Sequence, residues 1–145
     1  MNAVANVPMA IVRREIRASA EELFDAWLDP ESLAVWMQPG DTKRTTVSVD
    51  ARVGGQFEIV MHHPNGPIPH RGSYREIDRP RRLVFTWNSP YAGEHGSLVT
   101  VEFRPAGDAT EIVLTHERLP SVEMVKAHTQ GWTDVLRLFA ESRAA

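Results

Sequence analysis

"SVEMVKAHTQGWTDVLRLFAES", residues 121–142, is the stretch on which the fold turns. Ser121 follows Pro120 and is placed to accept a hydrogen bond from the first turn, so the spacing predicts a helix from about Val122 to Ser142. Helical periodicity puts His128, Trp132, Val135, Leu136 and Phe139 on one stripe, with Val125 leading in. A helix of that length, rising about 1.5 Å per residue, spans roughly 30 Å and can cover a sheet. His128 therefore shares the face that should be driest, and Gly131 beside it costs about 1 kcal/mol relative to alanine. Two readings stand: a hydrogen-bonded core histidine next to a packing glycine, or one polar wall of a ligand cavity next to a glycine that leaves room.

The preceding chain supplies something to cover. Turn signals "VGGQ" at 53–56, "HPNGP" at 63–67, "DRPR" at 78–81 and "PAGD" at 105–108 divide it into strands near 44–50, 56–62, 70–77, 82–88, 97–104 and 110–117. Alternation places Phe57, Ile59 and Met61 on one face, followed by Leu83, Phe85 and Trp87, then Val99, Val101 and Phe103, then Ile112, Leu114 and His116. Glu58, Thr86, Thr100, Glu102, Glu111 and Glu117 fall on the other face, as in an antiparallel sheet with one wet side. "PMAIVRREIRA" reads as a first strand with Val12, Arg14 and Ile16 on one side. "SAEELFDAWLDPESLAVWM" reads as two short helices, with Ser19 and Glu22 as a capping box and Pro30 as the break. The order is strand, two helices, six strands, long helix: an α+β domain over residues 10–145, after a loose lead-in over 1–9. A curved sheet and a long helix need not touch along their whole length, and the gap between them is where a ligand would sit.

With 145 residues the chain is long enough for one domain and a substantial core. It has no cysteine, hence no disulfide, thiolate nucleophile or thiolate metal site. A net charge of −3 argues against a dedicated nucleic-acid binder. No apolar run approaches the roughly 20 residues of a membrane span, and "MNAVANVPMA" lacks the regions of a signal peptide. A soluble cytoplasmic protein is the expectation, as monomer or as homodimer through an open sheet edge.

The stretches "SAEELFDAWLDPESLAVWMQP", "VGGQFEI", "GSYREIDRPRRLVFTW", "TEIVLTHERL" and "HTQGWTDVLRLF" occur in an order that resembles one known family. It is the family related to the C-terminal domain of the activator of Hsp90 ATPase, within the START-like or polyketide-cyclase-like superfamily. The resemblance covers about residues 10–140 and implies the helix-grip fold, a curved antiparallel sheet wrapped around a long C-terminal helix. It also implies a cavity for a small, largely apolar molecule, and as alternatives a cyclase-like enzyme using cavity histidines or stimulation of an Hsp90-type chaperone in a stress response. One departure is local: the family's paired tryptophans followed by Gly-Pro are replaced by Trp36, Met37, Gln38 and Pro39.

The candidate binding residues are Arg14, Phe57, Phe85, Trp87, His116, His128 and Trp132. The four aromatics would form apolar walls, and Arg14 would hold a carboxylate bidentately or pair with an acidic neighbour. His116 and His128, from sheet and helix, would face each other, either as polar contacts or as satisfied core groups. No catalytic residue, cofactor or metal is expected. Adjacent His62 and His63 should leave opposite faces of a strand, and "HERLP" at 116–120 has proline where a zinc motif needs its second histidine. The arginines of "DRPRRL" sit at an acidic hairpin without interleaved aromatics, so they read as a solvated turn. The loop "NSPYAGEHGS", 88–97, is expected to act as a flap over the entrance, with Tyr74 or Tyr91 at its rim.

Overall fold

The computed structural model describes residues 9–93 and 96–143. The lead-in over 1–9 falls outside the described residues except for Met9, as do Glu94 and His95 of the 88–97 loop. In chain order the elements are β1 (Ala10–Ile16), α1 (Ala20–Trp27), α2 (Pro30–Trp36), β2 (Arg44–Val49), β3 (Gln56–His63), β4 (Gly66–Asp78), β5 (Arg82–Trp87), β6 (Ser97–Ala106), β7 (Ala109–Glu117) and α3 (Val122–Arg143). Among the described residues seven antiparallel strands form one sheet in the order β1-β7-β6-β5-β4-β3-β2, curled around α3 with α1 and α2 closing one end. This is the helix-grip architecture. No described helix is long and apolar enough to cross a membrane.

The local causes are readable. Ser19 Oγ accepts from the Glu22 amide at 3.1 Å and Asp29 Oδ1 from the Glu31 amide at 3.1 Å, so each short helix starts on a side-chain cap. Ser121 Oγ does the same for α3, taking the Met124 amide at 3.2 Å. Pro30 sits in the first turn of α2, where its missing N–H is not needed.

β4 is longer than its sequence suggests, starting at Gly66 and not near residue 70, despite Pro67 and Pro69. The register gives the reason. From Gly66 to Ser73 this strand pairs with β3, and only from Tyr74 to Asp78 does it form a ladder with β5, bulged between Tyr74 and Glu76, with an isolated bridge from Arg71 to Asn88 before it. Arg71 exchanges both backbone hydrogen bonds with Asn88, at 2.9 and 2.8 Å, so its N–H and carbonyl point away from β3. Residues 67 and 69 share that parity and would donate into an unpaired edge, where proline is tolerated. Gly72 is the pivot between the two pairings. A Cβ there would collide with the Thr86 carbonyl and the Phe57 ring.

The core divides into two aromatic groups. Phe24, Trp27, Trp36, Phe103 and Phe139 pack at the end closed by α1 and α2, with Trp36 stacked on Phe139 at 4.2 Å between centroids. Phe57, Tyr74, Phe85, Trp87 and Trp132 form the second group, which runs on through His70, His116 and His128.

Candidate functional site

A cleft of about 560 Å³ opens where the first half of β4, paired with β3 on one side, has no strand on the side that turns toward β5. Its walls come from four segments. α3 contributes His128, Gly131, Trp132 and Val135; the β3–β4 hairpin contributes Met61, His63, Ile68 and His70. Trp87 and Tyr91 come from the end of β5 and the loop after it, and Met37 to Asp41 form a strap that follows α2. The strap is tied to both neighbours. The Gly40 amide donates to Asp134 Oδ2 of α3 at 3.0 Å, and Asp41 Oδ1 meets His63 Nδ1 of β3 at 3.0 Å. The carboxyl of Asp41 titrates below its ordinary value, chiefly through that hydrogen bond.

Behind the cleft lies a closed polar relay. Trp132 Nε1–H donates to His116 Nδ1 at 2.9 Å, which consumes that nitrogen's lone pair and leaves the ring proton on Nε2. Nε2–H then donates to Ser97 Oγ at 2.6 Å, and the Ser97 hydroxyl donates to the Trp87 carbonyl at 2.7 Å. His116 is 0 % exposed and Ser97 1 %. Burial pushes the His116 pKa down to about 3, with the neighbouring His128 adding to the shift, so the ring is neutral at physiological pH. A serine beside a histidine invites comparison with a nucleophile and its base, but here the protons run the other way. His116 donates to Ser97 and cannot accept from it.

His128 lies against His116, ring centroids 4.9 Å apart in an edge-on arrangement. Its Nδ1–H donates to the Met124 carbonyl at 2.7 Å, which leaves Nε2 as an acceptor. Desolvation lowers its pKa, partly offset by the Met124 bond. His70 is held similarly, Nδ1 on the Ile59 carbonyl at 3.2 Å, and burial brings its pKa to about 4.

Of the residues singled out in the sequence, Trp87, His128 and Trp132 line the cleft together. His116 stands one layer behind, touching Trp132 and His128. Phe57 and Phe85 do point inward, but side chains fill the space before them: they border a void of only about 10 Å³ shared with Trp27, Leu33 and Tyr74. Arg14 pairs with Ile112 on the β1–β7 ladder, is exposed, and lies outside the cleft walls. β1 is an edge strand, so a long side chain there reaches water past the rim. Tyr91 is at the cleft rim, half-exposed, whereas Tyr74 is buried in the core. A Cβ at Gly131 would meet only Pro39 Cβ at 3.7 Å, an ordinary contact. Close packing therefore does not require the glycine; the helix wall recedes there because the cleft lies in front of it.

Sequence reasoning missed His70, Met61, Met37, Asp134 and the strap. The strand expected near 70–77 does carry His70, but the prolines on either side of Ile68 hid the part of β4 from Gly66 onward that brings it to the cleft wall. Asp134 lies one turn after Gln130, whose amide donates to it at 3.1 Å, a spacing that was available to be read.

Comparison with known proteins agrees with the fold. Protein CV1439 from Chromobacterium violaceum superposes with a TM-score of 0.81 at 23% identity, over 92% of this chain and 95% of that one. Protein NE0264 from Nitrosomonas europaea gives 0.77 at 21%, over 92% of each. DynU16, from the dynemicin biosynthetic locus, gives 0.76 at 18%, over 92% of this chain and 46% of its own. At these identities the likeness speaks for the fold alone. No curated protein sequence matches significantly. Residues 17–142 match the family described as activator of Hsp90 ATPase homolog 1-like protein, and the chain belongs to that family.

Proposed function

We propose that the chain is a single START-like binding module over residues 10–145 that takes a small, largely apolar molecule between the β3–β4 hairpin and α3. The observation that carries this reading is the cleft itself: about 560 Å³, walled by Trp87, Trp132, Met37, Met61, Ile68 and Val135, with a few fixed polar groups. That volume and that mixture suit a small-molecule site. Trp87, Trp132 and His128 are its central contacts, with His116 holding the Trp132 indole in place. The arrangement favours binding over acid–base turnover, because both nitrogens of His116 are engaged and His128 is held by its own helix.

The test is a titration with Nile red, a neutral dye that brightens in apolar surroundings, against the native chain and Gly131→Phe. The new ring would enter the cleft, since only Pro39 stands near the added Cβ. Saturable one-to-one binding that the variant loses at unchanged melting temperature is expected. Equal dye binding by both proteins would sink the reading.

A further inference from the structure

The charge of the cleft lining is one-sided. Among the described residues no lysine or arginine contributes to it, whereas Asp41 and Asp134 do. His63 faces Asp41 and offsets it when protonated. Asp134 has no such partner. Its two oxygens take the Gly40 amide and the Gln130 carboxamide, both neutral donors, and no ion pair engages it among the described residues. Further in, the Nε2 of His128 offers a lone pair and no positive charge, because Nδ1–H is committed to the Met124 carbonyl. The indoles of Trp87 and Trp132, tilted against each other with centroids 5.0 Å apart, both border the same space.

We propose that the cleft selects organic cations: a protonated amine at the mouth beside Asp134, with a ring-sized apolar body against Trp87 and Trp132. This rests on the reading of the cleft as a binding site and adds the sign of the ligand's charge. A carboxylate or phosphate head would meet two aspartates and, among the described lining residues, no lysine or arginine, losing its hydration without a replacement partner. An ammonium meets a carboxylate that no cation pairs among the described residues, while the apolar body it carries is covered by the aromatic walls. Charge and not shape makes this discrimination, so ligands of one shape and different charge can measure it.

The experiment is calorimetric titration at pH 7 with three probes on one skeleton: naphthylmethylamine (cationic), naphthylmethanol (neutral) and naphthoic acid (anionic). The amine is expected to bind about tenfold tighter than the alcohol, and the acid most weakly. In Asp134→Asn, whose side-chain oxygen can still accept the Gly40 amide, the amine should fall to within about twofold of the alcohol measured on the same variant. Added salt should weaken the amine and spare the alcohol in the native chain, a readout that holds even if the variant folds poorly. If the acid binds as tightly as the amine, the charge selection is wrong while the binding site stands. If none of the three binds, the binding-site reading falls and the selection with it.

Discussion

Two lengths of α3 obey the same helical periodicity and end in opposite surroundings. Toward its C-terminus, Leu136 and Phe139 are 0 % exposed, sealed by Trp27 and Trp36 of the short helices. Toward its N-terminus, His128 and Gly131 border a cleft. An apolar stripe therefore records which side of a helix faces inward, but what stands opposite decides whether that side is packed or hollow. At the sealed end two helices are folded over it. At the hollow end β4 has parted from β5, and among the described residues no helix or strand fills the gap.

Acid should separate the two ends most strongly. His70 and His116 titrate in the fold near 4 and 3, well below the ordinary histidine value, because burial disfavours their charged forms. Their contribution to stability is complete above about pH 6.5, where folded and unfolded chains both hold them neutral. It is lost as pH falls from there toward 4 and then 3, since the unfolded chain takes up protons that the fold refuses. The unfolding free energy from urea titrations should drop across this window by roughly 5–10 kcal/mol, and His70→Gln should flatten the slope. An unaltered slope in that variant would remove His70 from the account.

Phe139→Ala probes the sealed end. It empties a stacked, fully buried ring site and should cost about 4 kcal/mol by chemical denaturation, with ligand binding intact in the folded fraction. His116→Leu keeps volume but strands the Trp132 indole N–H, and should cost about 2 kcal/mol. It should also blunt dye binding, because Trp132 loses the bond that orients it. Gly131→Ala is the mildest change and has the opposite sign. With room for the new methyl, the helix should gain about 0.5–1 kcal/mol, while binding weakens slightly as the cleft narrows. A loss of stability there would mean that the glycine is a packing residue after all.

The element order was legible because its signals are local: alternation in β5 to β7, capping serines at 19 and 121, and a glycine or proline at nearly every turn. The inward faces of Phe57, Phe85, Trp87 and His116 were legible for the same reason. Emptiness was not. Phe57 and Trp87 share a face and touch the same cluster, yet one abuts packed rings and the other a cleft, a difference set by where β4 leaves β5. Alternation also placed Arg14 on the side of Val12 and Ile16, but not how far the rim lies from the centre. The strap around Gly40 depends on Asp134, 94 residues away, which no short-range pattern encodes.

The prolines of β4 have one more consequence, for encounters between molecules. At residues 67 and 69 the strand turns its carbonyls outward and has no N–H to offer beside them. A strand from another copy arriving at this edge would find acceptors without donors, half of the ladder it needs to attach. The stretch that frames the mouth of the cleft thus resists sheet-to-sheet fusion, which leaves the entrance open to small molecules even in a crowded solution.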